Sequence, residues 1–112
     1  MTLPAGRLTE RVQFVRAVPV DDGLAVSESW QLIGRPRAAM VRRVTGDTDQ
    51  GAGQVQATEQ LAFTVRLDRF TRGITARDRI RFRAVDHVIV AVAEDFINRE
   101  TVTFTASVRA DQ

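Results

Sequence analysis

The chain contains no cysteine, so a disulfide framework, a thiolate nucleophile and a thiolate-held zinc are excluded. Its one histidine, His87, removes every multi-histidine metal site and leaves a single imidazole for acid–base work. Lysine is missing as well. All sixteen basic residues are Arg, and with lysine go the Schiff-base amine, the phosphate-loop ammonium and the Ser–Lys pair. No segment approaches the roughly 18 consecutive apolar residues of a membrane span. Met1 to Leu8 also lacks the basic flank and apolar core of a secretory leader, so the expectation is a protein neither embedded in a membrane nor exported.

What is present suits a folded domain. The 112 residues are 44% hydrophobic and 27% charged, enough apolar material for one core, and a single domain over residues 1–112 is expected. Fourteen acids leave a net charge of only +2, so bulk charge does not make this a polybasic nucleic-acid binder. The charge is nonetheless segregated. Residues 1–46 carry seven Arg and four acids, 47–65 three acids and no Arg, 66–83 seven Arg and two acids, and 84–112 two Arg and five acids. That alternation fits distinct faces on a subunit that docks against others, although solvated strand faces would produce it too.

Hydrophobic periodicity is two throughout, the signature of strands with one buried face. Leu8, Glu10, Val12 and Phe14 alternate with Thr9, Arg11 and Gln13 in a first strand that runs to about Val18. Pro19 and Asp21-Asp22-Gly23 supply a hairpin reversal. Leu24, Val26, Trp30 and Leu32 define a second strand ending near Gly34, with Trp30 as a core anchor; Ala38, Met40 and Val44 define a third, from about Arg37 to Thr45. Later strands are read from Leu61-Phe63-Val65-Leu67, from Ile80-Phe82, from the doubly apolar run 87–93, and from Val102-Phe104-Ala106-Val108. Turns are expected at 70–77 around Gly73, near Val85-Asp86 and at Asn98-Arg99-Glu100. The run 87–93, apolar on both parities, reads as a strand buried on two sides. Six or seven short strands without a long helix predict an all-β fold, a small antiparallel barrel or sandwich. The segment 46–58 (GDTDQGAGQVQAT) stands apart as one long flexible loop with little core-forming material.

No catalytic constellation emerges. Gly46 and Gly51 have phosphate-loop spacing, but Ala52 stands where that loop needs its lysine. Asp47, Asp49 and Gly51 begin like a calcium loop, but Gly51 supplies no third ligand and Thr58 replaces the closing Glu. Asp86 beside His87 on a strand faces the other way, so His87 has no obvious carboxylate partner and reads as a surface or half-buried residue. No enzyme, cofactor or metal is expected. Arg79, Arg81 and Arg83 share a strand face and fit either a nucleic-acid backbone or an acidic protein surface. Because Phe14, Trp30, Phe63, Phe82 and Phe104 fall on apolar parities rather than beside them, base stacking is disfavoured and protein contact preferred.

In their order and spacing these segments resemble the phage head–tail joining family, the small head-closure or stopper proteins of long-tailed phages and gene transfer agents. The resemblance rests on Ala5-Gly6-Arg7-Leu8 and Arg11-Val12-Gln13-Phe14, on Asp21-Asp22-Gly23 leading to Ser29-Trp30, and on Arg37-Ala38-Ala39-Met40 before Thr45-Gly46. It continues in Phe63-Thr64-Val65-Arg66, in Ile74-Thr75-Ala76-Arg77-Asp78-Arg79-Ile80 and in Asn98-Arg99-Glu100.

It implies a subunit of the virion neck, assembled in the bacterial host cytoplasm as a homo-oligomeric ring of six or twelve copies. That ring would sit between the portal or adaptor ring and the tail terminator, closing the head, retaining DNA and joining the tail. By the same resemblance Gly46, Asp47, Thr48, Asp49, Gln50, Gly51, Ala52, Gly53 and Gln54 form a loop facing the DNA channel. Its carboxylates suit a lining along which double-stranded DNA passes without sequence-specific contact. Parity and charge nominate Leu3, Arg7, Arg66, Arg79, Arg81, Arg83, Glu94 and Asp95 as subunit-interface residues. A tail-terminator or other tail ring subunit, a nucleic-acid-binding barrel and a structural subunit of a cellular complex are the competing expectations.

Overall fold

A computed structural model of the chain describes residues 8–44 and 60–108. Six strands, β1 (Glu10–Asp21), β2 (Val26–Val44), β3 (Gln60–Arg66), β4 (Arg79–Phe82), β5 (Val85–Glu94) and β6 (Thr101–Ser107), are joined by one short helix, α1 (Arg69–Arg72). All pairings are antiparallel in the order β1-β2-β3-β6-β5-β4, and pairing of β4 with β1 closes the sheet into a barrel. The all-β expectation holds, and of barrel and sandwich the barrel is found.

Alternation fills the barrel as the sequence predicts in β1, β3, β4 and β6, where Val12, Phe14, Phe63, Val65, Ile80, Phe82, Val102, Phe104 and Ala106 form the core. Its aromatic rings meet edge to face: Phe14 and Phe104 have centroids 5.5 Å apart at 65°, and Phe63 and Phe82 5.5 Å apart at 73°. That geometry sets the positive ring edge against the negative face and adds to the area term. His87 is buried rather than half-exposed, with its ring edge-on to Phe63 and Nδ1 3.0 Å from the Val85 carbonyl.

Several sequence expectations are corrected. The predicted second and third strands are one 19-residue strand, β2. Between Val12↔Arg37 and Phe14↔Ile33, β2 spends two residues more than β1, and Gly34 takes φ +70. The strand therefore bulges and bends at Gly34-Arg35-Pro36 instead of ending there. Two extra residues leave parity unchanged, and Ile33 before the bulge and Ala39 and Val41 after it all face inward, in place of the predicted Ala38, Met40 and Val44.

The predicted inward set Leu24, Val26 and Leu32 is exposed, and Trp30 is half-buried rather than a core anchor. Beyond Val15, β1 pairs only with β2, so the two strands leave the barrel as a ribbon with no opposing layer. Similarly, β5 is buried only through its first half, at His87 and Ile89. From Val90 onward it pairs with β6 alone, and the expected two-sided burial is absent because β4 is only four residues long. The reversal expected near Val85-Asp86 lies two residues earlier, at Arg83 and Ala84, whose φ values of 52° and 64° suit a two-residue primed hairpin.

The residues 70–77, expected to be a turn, include most of α1. Asp68 caps it: the Thr71 amide donates to Asp68 Oδ1 at 2.8 Å and the Asp68 amide donates to Thr71 Oγ1 at 2.9 Å. The cap seats Phe70 over the barrel end, where its ring lies edge-on to Phe14 and directly against Gly34. A Cβ at Gly34 would penetrate the Phe70 ring, and the positive φ already disfavours an L side chain there. Gly34→Ala is accordingly expected to lower the unfolding free energy by about 2–4 kcal/mol, measured by urea denaturation.

Candidate functional site

Strand direction sorts the molecule into two ends. Because β1 and β5 are both antiparallel to β4, and β1 and β3 both antiparallel to β2, the ends of β1, β3 and β5 lie together. The β1–β2 turn, α1 and the β5–β6 turn therefore share one end of the barrel. The hairpin at Arg83-Ala84 and the junctions of β2 and β3 with the chain between them occupy the other.

At the first end, carboxylates brace both turns. Asp22 Oδ1 accepts from the amides of Leu24 and Ala25, each at 2.9 Å, and Asp21 Oδ1 accepts from Gly23 at 2.9 Å. These backbone bonds hold the Asp22 carboxyl below its ordinary pKa. Gly23, at φ +89, makes the reversal the sequence predicts, and Leu24 is displayed with 94% of its surface exposed. In the β5–β6 turn Asp95 Oδ1 accepts from Ile97 and Asn98, both at 3.2 Å, while the Arg99 amide donates to the Asp95 carbonyl at 2.7 Å. This turn presents Phe96 and Ile97 at 81% and 82% exposure. Ordering the backbone around an exposed Leu, Phe and Ile opposes hydrophobic burial, since these side chains are held in solvent.

The nominated Arg residues lie on the outer surface but are engaged within the chain. The Arg79 guanidinium stacks 3.9 Å above the Trp30 ring. Arg81 Nε donates to Asp86 Oδ1 at 2.7 Å, a bond that raises the Arg81 pKa further. Arg83, in the turn rather than on the strand face, reaches Glu10 at 3.1 Å and lies over Phe82. Asp86 does face away from His87, as strand alternation requires. Of the other nominated residues, Arg66 and Glu94 are exposed at the α1 end, and Asp95 organises its turn. Leu3, Arg7 and Gly46 to Gln54 lie outside the described residues.

Two further ion pairs tie the α1 end together, and sequence reading attached neither to its partner. Arg16 Nε donates to the buried Asp78 at 2.8 Å, which raises the Arg16 pKa, and Asp78 also accepts from the Thr75 amide. Arg37 bridges to Asp68 while its guanidinium covers Phe70 at 4.7 Å. No spacing rule reveals these pairs, because their members are 62 and 31 residues apart. The signal that sequence did hold for the exposed tips was the apolar pair Phe96-Ile97 directly after Glu94-Asp95.

Among the described residues no cluster of three or more metal-ligating side chains occurs, and no helix is long and apolar enough to cross a membrane. A model of the phage head completion protein family matches residues 3–109. The chain belongs to that family. Its members are structural virion proteins rather than enzymes, and the chain is a head–tail structural protein that associates with other virion components. Among solved structures, a chain in the virion of a native gene transfer agent particle is similar, with TM-score 0.65 and 23% identity over 88% of this chain and 92% of that one. Among curated proteins none matches.

Burial acts to raise the Asp68 pKa, but the Thr71 amide and the Arg37 charge, helped by the Thr71 hydroxyl, outweigh it and hold the carboxyl below its ordinary value. A depressed native pKa contributes stability above the unfolded value, which is lost as pH falls through the native one. Asp68→Asn keeps a capping oxygen and removes the charge. It is expected to lower Tm at pH 7, with the gap to the parent chain closing below about pH 4, as followed by thermal melts across pH.

Proposed function

We propose that the chain is a neck subunit which forms a ring between the portal or adaptor ring and the tail terminator, closes the filled head, retains DNA and joins the tail. The observation that carries this reading is the α1 end of the barrel, where Asp22 and Asp95 hold exposed Leu24, Phe96 and Ile97 on braced turns in a member of the head completion family. Such a surface is made for seating proteins. The likeness to a gene transfer agent virion chain supports the barrel as a scaffold used in particles of that kind.

The charge pattern favours this role over direct DNA binding. Arg79, Arg81 and Arg83 are occupied by Trp30, Asp86 and Glu10, so phosphate tracking along that strand would require breaking contacts the fold already makes. The loop residues Gly46 to Gln54, with Asp47 and Asp49, are assigned to the channel side. Their composition repels phosphate and lets duplex DNA slide. β2 leaves and β3 enters the barrel at the end opposite α1, which would separate a channel-side loop from the contacts made by the α1 end.

Deleting the gene from the producing particle system is expected to yield heads that have lost DNA, separate from complete tails, by negative-stain electron microscopy and a packaged-DNA assay. Normal joined particles would overturn the proposal. Reversing both loop acids, Asp47→Arg with Asp49→Arg, is expected to reduce DNA ejection while leaving joined particles intact.

A further inference from the structure

Among the described residues, the large exposed apolar side chains other than Leu32, Val85, Val90 and Val108 fall into two groups at the α1 end. One is the tip of the β1–β2 ribbon, where Leu24 stands beyond Val20 and Val26 on the ribbon's two faces; the other is the end of β5 and its turn, with Val92, Phe96 and Ile97.

Their placement is the informative part. In the barrel order β1-β2-β3-β6-β5-β4, the β1–β2 seam and the β6–β5 seam are three steps apart in either direction. The two groups thus lie on opposite sides of the subunit at the same end. Their charges are also complementary. Asp21, Asp22 and Glu28 line the ribbon, while Arg66, which pairs with Thr101, and Arg99 flank the opposite turn; among the described residues no ion pair engages any of these five. Glu94 sits at the margin of this second group.

We propose that copies of this chain associate head to tail, the β1–β2 ribbon tip of one copy seating on the β5–β6 turn of the next. Leu24 meets Phe96 and Ile97, and the ribbon carboxylates meet Arg66 and Arg99. A contact between two different faces is heterologous, and it closes a ring when the rotation from one copy to the next divides a full turn. The proposal rests on the reading of the chain as a neck ring subunit.

A chain without cysteine allows a direct test, because both tip positions are exposed and accept substitution. Particles are assembled with Leu24→Cys and Ile97→Cys in one chain, oxidised, and resolved on non-reducing gels. A ladder of chain multiples from the double variant, with no dimer from either single variant, is the expected result. A dimer from Leu24→Cys alone would indicate a two-fold contact and overturn the head-to-tail arrangement. Joined particles that contain the double variant but give no ladder would overturn the interface while leaving the neck role standing; particles that lack the chain would overturn both. As a second measurement, Leu24→Asp is expected to retain the parent Tm and lower the yield of joined particles at least tenfold, and an unchanged yield would overturn the proposal.

Discussion

The contact between Phe70 and Gly34 is the constraint on which the rest of this fold depends. β2 has to serve two structures at once, the barrel wall through Arg37–Val44 and the projecting ribbon through Val26–Ile33, and it changes direction at a left-handed glycine. Phe70 occupies the space a side chain at that glycine would need, touches Phe14 in the core, and lies under the Arg37 guanidinium. The capping box at Asp68 and the Arg37–Asp68 bridge hold the ring in place. One aromatic side chain therefore closes the barrel end and sets where the ribbon leaves it.

The electrostatics follow from the same economy of space. A barrel this small has little interior for polar groups, and the ion pairs among the described residues join strands and rims around its wall. Exposed pairs of this kind contribute little to stability individually. Their consequence is for function, since an Arg already stacked on Trp30 or paired with Asp86 offers less to a phosphate than an uncommitted one. The acids that organise turns, Asp22 and Asp95, act through geometry. They fix backbone amides so that neighbouring apolar side chains stand in water.

Much of the barrel was legible in the sequence where strands have partners on both sides. Phe63 and Val65, or Phe104 and Ala106, alternate cleanly because each strand has one face inside. Reading failed where that condition fails. Leu24 and Val26 share a parity and so resemble a buried face, but alternation reports only that residues share a side and does not reveal whether a layer opposes that side. Val90 and Val92 misled for the same reason, because β4 stops short of them. The break at Gly34-Arg35-Pro36 was visible, but a glycine and a proline there fit equally well with a bulge in one strand or a turn between two.

By itself the sequence determined the class of the protein: no thiol, no lysine and a lone histidine leave little for catalysis, and period-two patterning with tight turns requires an all-β domain. Motif order carried the family likeness, since strand and turn residues keep their succession along the chain. Only the tertiary structure decided which apolar residues are core and which are exposed. It also chose the partners of Arg16 and Arg37, and placed two exposed tips on opposite sides of one barrel end. The physical reason is that burial and ion pairing depend on what stands across a gap in space. Local chain chemistry fixes a strand's faces, but closure of the barrel determines which neighbours those faces meet.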